Sequence, residues 1–196
     1  MKLLRCYSDK NEFEAGIDEA GRGCLAGPVT AAAVVMPPNC NLGTLDDSKK
    51  LSKEQRFELR PIIEKEALAY SVVHISHRVI DEINILQATF KAMHQCVDKL
   101  SIRPDLLLID GNRFPAYLGI VHQCIVKGDA KYQSIAAASI LAKTYRDEYM
   151  EKLHRKHPQY DWISNKGYPT NKHRSAIIEF GPTKYHRTSF KLIKEQ

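Results

Sequence analysis

The chain has 196 residues, of which 43% are hydrophobic and 27% charged, and its formal net charge is +6. That length suits one domain with a sizeable core and room for a small C-terminal appendage. The longest apolar runs, 27–36 and 106–109, fall short of the roughly 20 residues that span a membrane, and residues 1–9 contain no apolar stretch of signal-peptide length. The five cysteines form no C-x-x-C pair, which argues against a thiolate zinc site. We therefore exclude a membrane protein and expect a cytoplasmic one with free thiols.

The predicted elements follow the order β-β-α-β-α-β-β-α-α. Ser52 and Gln55 have the spacing of a capping box, so a helix should begin there, and Pro61 should kink or split it before Ala69. The predicted strands cover 13–18, 29–36, 70–75, 105–110 and 120–126, and the later helices cover 78–100, 132–157 and 171–180. Antiparallel strands followed by strands joined through helices predict an α/β fold with a mixed five-stranded sheet flanked by helices.

The positive charge is confined to the last quarter of the chain. Residues 1–142 carry 17 basic and 17 acidic side chains, whereas residues 143–196 carry 12 basic and 6 acidic ones. A basic C-terminal face would suit a polyanion such as nucleic acid. A basic surface that only keeps the protein soluble would give the same count, so charge alone leaves both interpretations open.

Four acidic residues stand at the ends of predicted strands, close to glycines. Asp18 closes the first strand beside Glu19, Asp110 follows four aliphatic residues, and Asp129 comes just after the fifth strand. A carboxylate at the edge of a core needs a partner, and a hard divalent cation provides one. Two such ions about 4 Å apart can activate a water and stabilise a leaving oxygen. Alternatively, each aspartate only caps a turn, because aspartate before glycine is common turn chemistry.

The segment Asp18-Glu19-Ala20-Gly21-Arg22-Gly23, followed by Gly27-Pro28-Val29, resembles the opening motif of ribonuclease HII. Further motifs of that family follow in order at 47–52, 83–85, 108–111, 127–129, 135–143, 146–147, 167–168 and 186–190. The resemblance therefore covers residues 14–190. The sister type, ribonuclease HIII, usually carries an extra N-terminal domain, and Asp18 lies too close to Met1 for one.

The resemblance implies a ribonuclease H-like fold with a helical C-terminal extension, which we divide into a catalytic domain at 1–158 and a substrate-binding extension at 159–196. It places the family's catalytic and metal-binding acids at Asp18, Glu19, Asp110 and Asp129, with two divalent cations, Mg²⁺ or Mn²⁺. It implies an endoribonuclease that cleaves the RNA strand of RNA:DNA hybrids. It also implies cleavage on the 5′ side of single ribonucleotides in duplex DNA, leaving 3′-hydroxyl and 5′-phosphate ends. We expect it to act as a monomer.

The resemblance also implies which residues contact the substrate. The turn Gly21-Arg22-Gly23 and Tyr168 match the family's sensors of the 2′-hydroxyl, the group that distinguishes RNA from DNA. Other contacts would be made to the nucleic-acid backbone, where a helix N-terminus favours phosphate. The candidates are Ser48, Lys49 and Lys50 before the first helix, Asn84 on the DNA strand, and Lys143, Lys166, Lys172, Arg174 and Arg187 for general phosphate contacts.

Two other functions stay open on the residues alone. A nuclease of the same fold class that cuts DNA would have no use for recognition of a 2′-hydroxyl. A non-catalytic nucleic-acid-binding module would use only the basic C-terminal quarter, and its four acids would have no shared task. Comparing cleavage of an all-DNA duplex with cleavage of a duplex that contains one ribonucleotide distinguishes a DNA nuclease from a ribonuclease. Removing metal distinguishes a metal-dependent enzyme from a binding module, because a binding module would show no change.

Overall fold

The computed structural model describes residues 3–8, 12–38, 40 and 51–193, so the predicted contacts at Ser48, Lys49 and Lys50 lie outside the described residues. The strands are β1 (Glu14–Ala20), β2 (Val29–Val35), β3 (Ala69–Ile75), β4 (Leu106–Asp110) and β5 (Val121–Ile125). The helices are α1 (Lys53–Glu66), α2 (His77–Asp98), α3 (Gln133–Lys156), α4 (Trp162–Asn165) and α5 (Asn171–Phe180). The nine predicted elements are present in the predicted order, and α4 falls in a stretch predicted as a loop.

The five strands form one mixed sheet in the order β3-β2-β1-β4-β5. β2 pairs antiparallel with both β1 and β3, whereas β4 pairs parallel with both β1 and β5. The predicted mixed sheet is therefore confirmed. Because β1 and β4 are parallel neighbours with Ile17 opposite Ile109, Asp18 and Asp110 emerge side by side at the same edge of the sheet.

Helices cover both faces of this sheet. Along β2, Val29, Ala31 and Ala33 pack against α2, while Ala32 and Val34 pack against α1 and α3. A strand buried on both faces is mostly apolar, and the one polar residue of β2 is Thr30, whose hydroxyl is hydrogen-bonded to Nδ1 of His74. The alanine-rich start of α3, residues 136–138, is fully buried and allows that helix to lie close against the strands. No helix within the described ranges combines the length and apolar character needed to cross a membrane.

Two helices differ from their predictions. The capping box at Ser52 is confirmed, but α1 continues through Pro61 to Glu66 instead of splitting. Pro61 lies on the exposed side of the helix, where water can satisfy the carbonyl group that loses its hydrogen bond. Conversely, α2 is broken at Asn84, whose φ of 65° and ψ of 166° are not helical. The period of apolar residues continues across this break, so the sequence pattern alone did not predict it.

The C-terminal segment shares a core with the rest of the chain. Its apolar cluster consists of Leu25, Ala26, Met150, Leu153, Tyr160, Trp162, Ala176 and Ile177. The carboxylate of Asp81 on α2 accepts hydrogen bonds from the backbone N–H and hydroxyl groups of both Thr188 and Ser189. Residues 159–193 are therefore packed onto α3 and tied to α2, and a division into two domains at residue 158 stays a prediction.

Candidate active site

A cleft of about 490 Å³ opens where β1 and β4 end. Its lining consists of Asp18, Glu19, Ala20, Gly21, Arg22, Gly23, Arg56, Asp110, Ser139, Lys143 and Tyr168. Three of the four predicted acids, the predicted turn at 21–23, Lys143 and Tyr168 thus meet in one place. Asp129 and Asn84 do not line it.

Main-chain and side-chain donors hold the three carboxylates of the cleft. Oδ1 of Asp18 accepts the backbone N–H of Glu19 at 2.7 Å, and its carboxylate is also hydrogen-bonded to Ser139. Oε1 of Glu19 lies 3.2 Å from Nη1 of Arg22. Oδ1 of Asp110 accepts the backbone N–H of Gly128 at 2.7 Å, which ties the loop after β5 to the end of β4.

The cleft concentrates negative charge where water is largely excluded. Asp18 is only 5% exposed, and burial raises its pKa well above the usual range, with further increases from the charges of Glu19 and Asp110. Burial also raises the pKa of Glu19, although Arg22 opposes that increase. Both shifts arise first because burial removes water from the charged carboxylates, and the neighbouring acids add repulsion. A proton or a bound cation would relieve this repulsion.

The donor set fits a divalent cation by its chemistry. Carboxylate oxygens are the ligands that Mg²⁺ and Mn²⁺ prefer, and Asp18, Glu19 and Asp110 supply them from one cleft. No group of three or more His, Cys, Asp or Glu side chains in the described part of the chain is arranged to hold one ion. Mg²⁺ usually takes only one or two carboxylates and completes its shell with water and substrate phosphate oxygens. The absence of a ready-made cage is therefore compatible with such an ion.

Asp129 lies apart from the other three acids. It belongs to the short 3-10 turn Gly128–Ala130 after β5 and is 1% exposed. The turn follows Lys127, which adopts a left-handed φ of 57°. Since Gly128 bonds to Asp110, Asp129 is close in the chain to the cleft without lining it. A role as a metal ligand stays a prediction for this residue.

The predicted 2′-hydroxyl sensors face the cleft from two segments. In the turn at 21–23, Arg22 and Gly23 are exposed, and the N–H of Cys24 points to the carbonyl of Gly21 at 3.4 Å. Tyr168 is 41% exposed, and its side chain is hydrogen-bonded to the thiol of Cys24. The turn and the tyrosine ring are thus neighbours at the mouth of one cleft.

Two of the basic side chains predicted to contact phosphate are buried, and two others have partners within the protein. Arg187 is fully buried, and Lys166 is 7% exposed with Nζ 2.7 Å from Oε1 of Glu151. The prediction of direct phosphate contacts is therefore wrong for these two residues. Lys172 pairs with Asp161 at 2.9 Å, and Arg174 donates to the backbone carbonyls of Lys191 and Leu192.

The predicted substrate contacts of Lys143 and Asn84 differ in where the structure places the two side chains. Lys143 lines the cleft, and burial lowers its pKa from the usual value of a lysine. Oδ1 of Asn84 accepts the backbone N–H groups of Leu86 and Gln87 at 2.9 and 3.1 Å, so it caps the helical segment that follows the break in α2. A contact between Asn84 and a DNA strand stays a prediction.

Three residues of the cleft, Ala20, Arg56 and Ser139, were not among the predicted site residues. Ser139 lies four residues before Lys143 on α3, so the two share a helix face, and that spacing could have identified it. Arg56 lines the cleft from the first turn of α1 and bonds to the carbonyl of Leu51. Its only sequence signal is its position one turn after the capping box.

Comparison with known proteins gives one consistent result. The family model described as Ribonuclease HII matches residues 15–193. Ribonuclease HII of Bacteroides thetaiotaomicron is 60% identical over 191 residues, which cover 97% of this chain and 96% of that protein. Among solved structures, the ribonuclease H2 from Pyrococcus horikoshii OT3 matches with a TM-score of 0.77 and 25% identity, over 92% of this chain and 94% of that one. Bst-RNase HIII in complex with Mn²⁺ shares the fold, with a TM-score of 0.72 and 18% identity over 92% of this chain and 67% of that one.

Proposed function

The chain belongs to the ribonuclease HII family, and from that premise we propose that its cleft cuts a nucleic-acid strand beside a ribonucleotide. The chain is a ribonuclease H type 2 hydrolase, and its family is a group of divalent-metal-dependent nucleases that act on RNA:DNA hybrids. The proposed substrates are the RNA strand of such hybrids and single ribonucleotides embedded in duplex DNA. Cleavage occurs on the 5′ side of the ribonucleotide and leaves a 3′-hydroxyl and a 5′-phosphate.

One observation carries the proposal. The cleft brings three carboxylates together with the turn at 21–23 and with Tyr168. The carboxylates suit hydrolysis of a phosphodiester, whereas the turn and the aromatic ring suit recognition of a ribose, whose 2′-hydroxyl both donates and accepts hydrogen bonds. A nuclease that acted on DNA alone would have no use for the second group of residues.

Asp18, Glu19 and Asp110 would hold two divalent cations, with Asp129 as a fourth candidate ligand. Bound at this site, such cations lower the pKa of an attacking water and neutralise charge on the departing 3′-oxygen. Ser139 and the N–H of Gly128 keep the carboxylates oriented. The described residues that line the cleft include no histidine, so no imidazole base is placed there. The proposed active form is a monomer.

Basic residues at the cleft would bind the phosphodiester backbone. Lys143 and Arg56 line it on the side of α3 and α1, and Arg22 lines it from the turn. Because binding to phosphates is independent of sequence, we expect the enzyme to bind duplexes of any sequence and to bind less tightly as salt rises.

The test is the Asp110→Asn variant, which keeps the size of the side chain and removes its charge. Loss of a metal ligand should slow cleavage by more than the roughly 10–100-fold that loss of an outer contact of a metal site costs, while duplex binding stays close to that of the parent. The matched control is Asp105→Asn. Asp105 precedes the same strand and accepts the N–H groups of Glu12 and Phe13, and this variant should retain cleavage. Parental cleavage by Asp110→Asn would refute the assignment.

A further inference from the structure

Two arginines are buried beside the turn at 21–23. Arg146 on α3 is 1% exposed and Arg187 is fully buried. Their guanidinium groups donate to backbone carbonyls. Neither lines the cleft, so neither is placed to touch a nucleic acid.

Arg146 links the segment after the turn to the loop that carries Tyr168. Its Nε donates to the carbonyl of Pro28 at 3.0 Å and its Nη2 to that of Ala26 at 3.2 Å. Its Nη1 donates to the carbonyl of Lys166 at 2.8 Å. The guanidinium carbon also lies 5.9 Å from the centre of the Tyr168 ring. One side chain thus connects the segment that follows the turn with the segment that precedes Tyr168.

Arg187 holds the turn itself. Its Nη1 donates to the carbonyl of Arg22 at 2.9 Å and its Nε to that of Gly27 at 3.0 Å. Its backbone N–H bonds to the carbonyl of Leu25 at 2.8 Å, and the N–H of Leu25 bonds to the carbonyl of Gly167 at 2.7 Å. The turn, the C-terminal segment and the residue before Tyr168 are therefore connected by consecutive hydrogen bonds.

The packing around these arginines leaves no room for displacement. A Cβ at Gly21 would lie 1.9 Å from Nε of Arg146, and a Cβ at Gly167 would lie 2.7 Å from the carbonyl oxygen of Ala26. Burying a guanidinium is unfavourable, and burial lowers the pKa of Arg187 to about 10. Apolar side chains of similar volume would leave the five backbone carbonyls that bind these guanidiniums without those donors, so the two arginines fix the positions of these carbonyls.

We propose that Arg146 and Arg187 are positioning residues that fix the turn at 21–23 relative to Tyr168, and thereby set the recognition of the 2′-hydroxyl. This inference rests on the proposed function of the cleft. The N–H and C=O groups of a turn cannot reorient by rotating a side chain. Their direction therefore depends on the contacts that hold the turn in place. The two guanidiniums bind five carbonyls around the turn: that of Arg22 within it, those of Ala26, Gly27 and Pro28 after it, and that of Lys166 before Tyr168.

The test compares Arg146→Lys, Arg187→Lys and Gly167→Ala with the parent on two duplexes. One contains a single ribonucleotide, and the other contains a 2′-fluoro nucleotide, which cannot donate a hydrogen bond, at the same position. Lysine keeps the positive charge but lacks the planar set of N–H donors of a guanidinium. Gly167→Ala displaces the loop without removing a charge. We expect kcat on the ribonucleotide to fall about 10-fold or more with little change in KM, since small misplacements have effects of this size. The ratio of ribonucleotide to 2′-fluoro cleavage should fall as well.

The control is Arg60→Lys, in which an arginine paired with Glu64 and Glu148 on α1 and α3 is changed in the same way. It should lower Tm without altering the ratio. If folded variants of Arg146, Arg187 and Gly167 keep the parental kcat and ratio, or if none of them folds, these residues are structural only and the inference is overturned. Failure of the parent to cleave the ribonucleotide duplex would instead refute the proposed function.

Discussion

Asp18 is the residue at which burial and repulsion act together. It is the most buried of the three cleft carboxylates, and its pKa is raised first by burial and then by Glu19 and Asp110. In the metal-free protein this charge opposes folding, whereas in the metal-bound protein it would be neutralised. Asp18 is therefore expected to destabilise the metal-free protein and to be required for metal binding.

This gives a prediction for Asp18→Asn. In EDTA the variant should be more stable than the parent, by on the order of 1 kcal/mol or about 2–4 °C in Tm for a chain of this size. Addition of Mg²⁺ should raise the Tm of the parent, because an ion that binds only the folded state stabilises it, and should raise that of the variant less. Thermal unfolding with and without Mg²⁺ measures both effects.

Glu14→Gln is the matched control for Asp18→Asn. Glu14 is a buried acid on the same strand whose carboxylate accepts the N–H groups of Tyr7 and Ser8 at 2.6 and 2.9 Å. Its substitution should lower Tm in EDTA and leave the response to Mg²⁺ unchanged. An equal Mg²⁺ response in Asp18→Asn and the parent would contradict the assignment of Asp18 as a ligand.

At the scale of single residues, the sequence predicted the positions of the acidic side chains of the cleft better than those of the basic side chains. Asp18 and Asp110 were identified by their places at strand ends, a local pattern that survives folding. Arg187 was predicted to contact phosphate, yet it is buried against carbonyls of residues about 160 positions away. Whether a basic side chain faces water or backbone depends on such distant partners, which no local pattern contains.

At the scale of elements, the break in α2 shows that apolar residues at helical spacing do not suffice to predict a continuous helix. Val79, Ile83 and Phe90 keep helical spacing, but Asn84 adopts a left-handed φ and its side chain restarts the helix by accepting two backbone N–H groups. Its φ of 65° and ψ of 166° lie in a region that is almost confined to glycine, so the backbone is strained there, whereas asparagine is a preferred helix cap. The capping preference was present in the sequence, and the apolar period obscured it.

The predicted consequence is a graded loss of stability at position 84. Asn84→Ala removes the cap and adds strain at a positive φ, so the free energy of unfolding should fall by about 1–3 kcal/mol. Asn84→Gly removes the same side chain but relieves the strain, and it should cost less. Urea unfolding of the two variants measures the order, and an equally stable Asn84→Ala would contradict this account of the break.

Two buried histidines of the C-terminal segment, His173 on α5 and His186 after it, make stability depend on pH. Nε2 of His173 accepts the indole N–H of Trp162 at 3.0 Å, and Nδ1 of His186 accepts the backbone N–H of Thr183 at 2.9 Å. Because these donors cannot accept, both rings are neutral. Burial, with a further contribution from neighbouring histidines including His173, lowers the pKa of His186 from 6.5 to about 4.

Stability should therefore fall as the pH decreases through this interval. Between pH 6.5 and about 4 the unfolded chain takes up a proton at His186 and the folded chain does not, so the free energy of unfolding declines. His186→Asn keeps an acceptor for Thr183 and removes the titrating group. Urea unfolding from pH 7 to 4 should show a steeper decline in the parent than in this variant, and parallel declines would contradict the assignment.

At the scale of the whole molecule, net charge alone determined neither the partner nor the binding surface. The basic excess lies in residues 143–196, yet within that segment Lys166 and Arg187 are buried. The positive charge that lines the cleft includes Arg22 and Arg56, which come from residues 1–142, where basic and acidic side chains balance. The order of elements and the mixed sheet were predictable because strand and helix periods are local, whereas the placement of charges depends on tertiary packing.

The most direct test of the proposed function is cleavage of a DNA duplex that contains one ribonucleotide, with the ends of the products mapped. In the presence of Mg²⁺ or Mn²⁺, the enzyme should cut once, on the 5′ side of the ribonucleotide, leaving a 3′-hydroxyl and a 5′-phosphate. EDTA should abolish the cut, and the all-DNA duplex should stay intact. Equal cleavage of the all-DNA duplex, or a cut that persists in EDTA, would contradict a metal-dependent nuclease that recognises a ribose before it cuts.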